Sequence, residues 1–157
     1  MDHDEVMRRL RTNDTTLTTL DLWYNGLGEV GGAAVARALE SNTTLTTLSL
    51  VGNHLGESSG VAVAGALERN TTLTALNLLL NRLGEVGGAA VAGVLERNTT
   101  LTTLYLEGNG VHDETMERVY LLLSGREVAT GSEGVEIVSV KAAVAALPRG
   151  TKRGAPG

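Results

Sequence analysis

Apolar positions recur along this chain with a fixed phase. Leu-Thr-Thr-Leu stands at Leu17–Leu20, Leu45–Leu48 and Leu101–Leu104, and Leu-Thr-Ala-Leu at Leu73–Leu76, so the period is 28 residues without a slip. Each unit opens L-x-x-L-x-L-x-x-N, as in Leu17, Leu20, Leu22 and Asn25, then runs through a Gly/Ala/Val-rich stretch ending in Leu-Glu. Alternation puts Leu20 and Leu22 on one face of a short extended segment, with Thr18, Thr19 and Asp21 between the leucines. The matching inward sets are Leu45, Leu48 and Leu50, then Leu73, Leu76 and Leu78, then Leu101, Leu104 and Leu106. The second half of each unit changes period: Gly31, Ala34, Val35, Ala38 and Leu39 have the spacing of one helical face. Ala62, Val63, Ala66 and Leu67 repeat it, as do Ala90, Val91, Val94 and Leu95. Small residues are expected to let each helix lie close against the strand layer. Gly31, Gly32, Gly87 and Gly88 lower helix propensity, so these helices depend on packing.

A unit of this kind cannot bury its apolar face alone; a stack of them can. The motif and its phase resemble the leucine-rich repeat, in the long ribonuclease-inhibitor-like class found also in NOD-like receptors and in the activator of the Ran GTPase. The resemblance covers residues 17–124 in four in-phase copies. It implies an α/β fold, a right-handed βα solenoid with a parallel sheet on the concave side and helices on the convex side. Four strands would make a strip only ~15 Å wide. It also implies that Asn25, Asn53, Asn81 and Asn109 form a ladder, each side chain bonding to backbone groups of its neighbour's turn. An Asn amide can both donate and accept, which suits a buried turn.

The ends depart from the repeat. Val6, Met7 and Leu10 fall on one side of a short helical stretch, so residues 1–16 read as a partial N-terminal cap. In the fourth helix, near Asp113–Ser124, Met116, Tyr120, Leu121, Leu122 and Leu123 replace the small residues. Residues 125–147 are irregular, although Val135–Val140 keeps a V-x-x-V-x-V spacing and is a candidate closing strand over Val119, Leu122 and Leu123. Residues 148–157, rich in Pro, Gly and basic residues, read as a disordered tail.

Composition narrows the function. The chain has no Phe, one Trp and three Tyr, so its core must be aliphatic. With no cysteine, disulfides, thiolate metal sites and cysteine nucleophiles are excluded. Residues 17–124 carry eleven acids against five bases, which gives no electrostatic reason to bind nucleic acid or an anionic membrane. The start, Met1-Asp2-His3-Asp4-Glu5, is acidic where a signal peptide would be basic and then apolar, so a cytoplasmic location is expected.

Several apparent sites dissolve against the repeat. Gly26-Leu27-Gly28-Glu29-Val30-Gly31 spells a dinucleotide-binding G-x-G-x-x-G, but Gly28 and Gly31 belong to the repeat and no acid ends the next strand. His3, His54 and His112 fall in unrelated phases and have no metal-site spacing. No Ser/His/Asp set converges on one edge, so no catalytic residue, metal or cofactor is expected. Of the Asn-x-Thr sequons at Asn13, Asn42, Asn70 and Asn98, three share one repeat position where a helix ends and a turn begins, and a left-handed turn conformation is expected to explain them. Glu29, Glu57, Glu85 and Asp113 align near helix starts, where a carboxylate favours the dipole.

What remains is the outward face of the sheet. Its columns read Thr19, Thr47, Ala75, Thr103; then Asp21, Ser49, Asn77, Tyr105; then Trp23, Val51, Leu79, Glu107; and at the strand ends Tyr24, Gly52, Leu80, Gly108. The core barely varies between repeats, whereas the last three columns vary in size, polarity and charge, and they hold three of the four aromatics. Exposed aromatics beside aliphatic residues mark interfaces. The expected function is a non-enzymatic module that binds a protein partner through Asp21, Trp23, Tyr24, Ser49, Val51, Asn77, Leu79, Leu80, Tyr105 and Glu107. Two alternatives stay open: a piece of a longer NOD-like-receptor-type sensor, and a GTPase regulator resembling the Ran activator. A homo-oligomer or a place within a longer chain is also left open.

Overall fold

The computed structural model describes residues 2–126. The candidate closing strand at 135–140 and the basic tail lie outside the described residues. The elements run α1 (His3–Arg11), β1 (Thr19–Asp21), α2 (Gly28–Ser41), β2 (Thr47–Ser49), α3 (Gly56–Leu67), β3 (Ala75–Asn77), α4 (Gly84–Val94), β4 (Thr103–Tyr105) and α5 (Asp113–Ser124). The four strands form one parallel sheet in sequence order. This is the α/β solenoid that the repeat predicts. Its register is the repeat itself: Leu20, Leu48, Leu76 and Leu104 align, flanked by the Thr19 and Asp21 columns. Parallel bonding runs on past the strand ends, where Tyr24 N donates to Val51 O (2.9 Å) and Leu80 N to Glu107 O (3.1 Å).

Every inward leucine of the motif is buried between sheet and helices. Each such side chain contributes roughly 1.5–3 kcal/mol of burial free energy before conformational entropy is charged against it. Val35, Val63 and Val91 are buried on the helices, and so are Ala36, Ala64 and Ala92. That second set adds to the expectation that small residues let each helix lie close against the strand layer. They also bring helix onto helix. A Cβ on Gly60 of α3 would lie 2.8 Å from the Gly87 Cα of α4, and one on Gly32 would collide with Ser59. Only Gly allows backbones to approach so closely, which offsets its poor helix propensity.

The turns carry two asparagine ladders. In the first, Asn53 Nδ2 donates to Leu22 O of the preceding repeat (2.8 Å) and to Leu50 O (2.9 Å), while its Oδ1 accepts from Asn25 N (2.9 Å). Asn81 and Asn109 make the equivalent bonds to Leu50 O and Leu78 O, and accept from Asn53 N and Asn81 N. Asn25 differs: it is exposed, and its Nδ2 donates to Trp23 O in its own turn (3.0 Å).

The second ladder replaces the left-handed explanation of the sequons. Of the four sequon asparagines, Asn13 has a positive φ (52°), whereas Asn42 is extended, with φ −73° and ψ 130°. Asn42, Asn70 and Asn98 are buried. Asn70 Nδ2 reaches Leu39 O (2.8 Å) and Asn98 Nδ2 reaches Leu67 O (2.7 Å), each spanning one repeat boundary. Their Oδ1 atoms accept from Leu73 N (2.8 Å) and Leu101 N (2.9 Å), fixing the entry to the next strand. A buried amide with its donors and acceptors engaged is no glycan acceptor in the folded chain.

This ladder ends on a different residue. Arg126 stands one period after Asn98, and its guanidinium donates to Leu95 O and to Leu101 O (2.6 Å). Its bond to Leu95 O is the one that a further asparagine would make, and burial pulls its pKa down. At the other end Val6, Met7 and Leu10 of α1 are buried against the first repeat. Asp14 closes the following turn. It accepts from Thr16 N (2.9 Å), Thr16 Oγ1 (2.6 Å) and Arg9 Nε (2.6 Å), and these bonds hold its pKa down at about 2.

The acidic column also does more than face a helix dipole. Glu85 reaches across to the next repeat, accepting from His112 N (2.6 Å) and Thr115 Oγ1 (2.6 Å) at the start of α5. Those two bonds hold its carboxyl below the usual range. Along the other end of the helices, Glu40–Arg69 (3.7 Å), Glu68–Arg97 (2.5 Å) and Glu96–Arg118 pair adjacent repeats. These pairs are solvated and add little.

Candidate protein-binding face

The sheet register places the predicted columns side by side: Asp21, Ser49, Asn77 and Tyr105 are aligned partners. At the strand ends, Asp21 Oδ1 accepts from Trp23 N (3.1 Å) and Asn77 Oδ1 accepts from Leu79 N (3.1 Å). These local turns are the reason Asp and Asn suit that column. They also fix the backbone that carries Trp23 and Leu79.

The third and fourth columns are unequal. Trp23 is 61% exposed, Tyr24 58% and Leu80 50%, whereas Val51, Leu79, Tyr105 and Glu107 are half-buried. Ser49 and Asn77 are half-buried and Asp21 is exposed. The Trp23 and Tyr24 rings meet edge to face, with centroids 5.2 Å apart and planes at 72°. One carboxylate oxygen of Glu107 is buried and has no hydrogen-bond partner among the described residues.

Tyr24 and Leu80 have positive φ, 49° and 58°, at the turn position where Gly52 and Gly108 take 67° and 73°. A left-handed backbone costs a non-glycine residue about 1–2 kcal/mol. Each strained side chain lies over the glycine of the following repeat: a Cβ on Gly52 would enter the Tyr24 ring, and one on Gly108 would enter Leu80. The two glycines are seats for exposed apolar knobs. Sequence reasoning named the knobs and missed the seats, although the alternation Tyr24, Gly52, Leu80, Gly108 carried the signal.

Other candidate chemistry is placed as follows. Gly28 N, where a phosphate would approach the helix start, donates to Asn53 O (2.9 Å). His3, His54 and His112 are exposed and far apart in the chain. Among the described residues no cluster of His, Asp or Glu could hold a metal ion, and no helix is long and apolar enough to cross a membrane.

A stack of identical strand–turn–helix units with one varied face defines a repeat protein built on a solenoid. The Leucine Rich repeat family matches residues 13–36, 41–64, 69–92 and 97–117, and the chain belongs to that family. Among solved structures it is similar to the leiomodin-1 actin-binding site 2, with 26% identity and a TM-score of 0.69 over 78% of this chain and 72% of that one. The tropomodulin C-terminal domain from Caenorhabditis elegans shares the fold at 13% identity, with a TM-score of 0.67 over 92% of this chain and 91% of that one. No curated protein matches the sequence.

Proposed function

We propose that this chain is a non-enzymatic module that holds a protein partner against the outer face of its sheet. The observation that carries the reading is the knob pair Trp23–Tyr24, more than half exposed and in edge-to-face contact, with Tyr24 at positive φ and its ring seated over Gly52. Strained, exposed apolar side chains on a rigid scaffold are characteristic of binding sites. Leu80 over Gly108 repeats the device two repeats away. Anchors fixed in advance lose little entropy when a partner covers them.

Actin is the first partner to test, because the leiomodin-1 structure is of an actin-binding site and is 26% identical over most of this chain. The experiment is co-sedimentation with filamentous actin and pull-down with monomeric actin. Wild type is run beside Trp23→Ala, Leu80→Ala and the helix-side variant Val86→Ser. Binding lost in the first two variants and kept in the third supports both the face and the partner. Binding of another protein with the same pattern keeps the face and discards actin. A GTPase regulator would act through the loop rim, where Arg82 is exposed. That role predicts binding insensitive to Trp23→Ala and lost on Arg82→Ala.

A further inference from the structure

We propose that Asn25 is a site of spontaneous deamidation, a covalent change that resets the turn carrying Trp23 and Tyr24. The chain has two Asn-Gly pairs, Asn25-Gly26 and Asn109-Gly110, at the same position of the first and last repeats. Glycine after asparagine leaves the following backbone nitrogen without the shielding of a side chain. Gly26 and Gly110 are alike in conformation, with φ 62° and 71°, and neither N–H has a hydrogen-bond partner among the described residues. The two asparagines are not alike. Asn109 is buried; its Nδ2 donates to Leu78 O, Leu106 O and Glu107 O, and its Oδ1 accepts from Asn81 N and Leu83 N. Asn25 is exposed, and its side chain makes one bond, to Trp23 O. Among the described residues no repeat turn precedes that of Asn25 to bury it.

The chemistry needs only water. The Gly26 nitrogen, losing its proton to solvent, bonds to Asn25 Cγ; the Cγ–Nδ2 bond breaks, and Nδ2 leaves as ammonia after taking up a proton. The resulting cyclic imide is opened by water at one of its two carbonyls. Opening at Cγ yields aspartate in a normal chain. Opening at the backbone carbonyl routes the chain through Cβ and Cγ as isoaspartate, one atom longer. Both products carry a new negative charge and lose the amide that donates to Trp23 O. The longer chain also displaces Leu27 N, which lies beyond the inserted atom and donates to Asn53 Oδ1 at 3.3 Å. Asn109 must open five hydrogen bonds before its Cγ can swing toward Gly110. Any effect on partner binding rests on the sheet face being the binding surface; the reaction itself does not.

The test is a time course on the full chain in mildly alkaline buffer, natively and in concentrated urea. Trypsin then separates the two sites, because Arg11 and Arg37 bracket Asn25 while Arg97 and Arg118 bracket Asn109. Tandem mass spectrometry reads the exchange of amide for acid and separates the two isomers. Natively, Asn25 is expected to react at least about tenfold faster than Asn109, since local opening limits a buried group. In urea the two rates converge. Asn25→Gln, which keeps an amide but disfavours ring closure, stays unmodified in that peptide segment. Emission from Trp23, the one Trp of the chain, shifts with the extent of reaction in wild type and stays constant in Asn25→Gln. Equal native rates overturn the proposal, as does an Asn25 that reacts in urea and not in the folded chain. Trp emission that ignores complete conversion overturns the resetting of the turn while leaving the protein-binding reading intact.

Discussion

The first ladder predicts that one residue type, at one position of the repeat, has two different energies. Replacing Asn109 with Ala strands the N–H groups of Asn81 and Leu83, which donate to its Oδ1 at 2.8 and 3.2 Å and have no other acceptor among the described residues. Leu106 O loses the donor it has at 2.9 Å. Leu78 O keeps the Asn81 amide at 3.1 Å, and Glu107 O keeps Leu80 N, so those two carbonyls are spared. A stranded buried group costs about 1–3 kcal/mol. A shallow concavity lined by Leu106, Glu107, Asn109 and Met116 adjoins this turn, and water entering it would relieve part of the loss. The expected destabilisation is about 2–4 kcal/mol, a large part of the stability of a domain this size. Asn25→Ala removes a single exposed bond to Trp23 O and is expected to cost under about 1 kcal/mol. Urea unfolding followed by far-ultraviolet circular dichroism separates them: the Asn109→Ala midpoint falls by about 1–2 M and the Asn25→Ala midpoint barely moves. Thr46→Ala and Thr102→Ala, whose exposed hydroxyls bond carbonyls that already accept from backbone, act like Asn25→Ala. Equal midpoints for Asn109→Ala and Asn25→Ala would refute the ladder as the device that joins the turns.

Glycine substitutions on the helices split by sign. Gly60→Ala forces its Cβ against the Gly87 backbone and destabilises by about 1–3 kcal/mol, whereas Gly93→Ala meets nothing within 4 Å and raises stability by about 0.5–1 kcal/mol; thermal unfolding of the two variants checks both. The folded pKa of Asp14 lies below its unfolded value of 3.8, so its contribution is present above that value and is lost as pH falls toward about 2. An acid titration of α1 amide exchange reads this, and Asp14→Asn flattens the profile between those limits. Arg126→Ala strands Leu95 O and Leu101 O and is expected to loosen α5 by about 1–3 kcal/mol, seen as faster hydrogen exchange over Asp113–Ser124.

The architecture was legible because the same spacing that buries Leu20 must bury Leu48, Leu76 and Leu104, and the sheet register equals the repeat. The Thr19 and Asp21 columns followed from alternation, whereas the Trp23 and Tyr24 columns lie in the turns beyond the three-residue strands. Side chains that act across a repeat boundary were harder to read. Asn42, Asn70 and Asn98 stand at helix ends, where local conformation offered a sufficient account, and only their bonds to the preceding repeat show why the type is fixed. Arg126 was hidden because it keeps the phase of the ladder and changes the residue. Gly52 and Gly108 looked like turn glycines, and their second role depends on where Tyr24 and Leu80 turn. Glu85 was read through its own helix, while its partners, His112 and Thr115, belong to the next.

Among the described residues, the large apolar side chains that are exposed fall into two sets. Trp23, Tyr24 and Leu80 lie at the ends of the strands, and Val30, Val61, Val86 and Leu121 lie on the helices. Hydroxyl-radical footprinting of the complex with its partner, read residue by residue, distinguishes them in a single experiment. Protection of Trp23, Tyr24 and Leu80, with Val30, Val86 and Leu121 as reactive as in the free chain, is the predicted result. Protection of the helix set with Trp23 and Leu80 unchanged would contradict the assignment of the sheet side as the binding face.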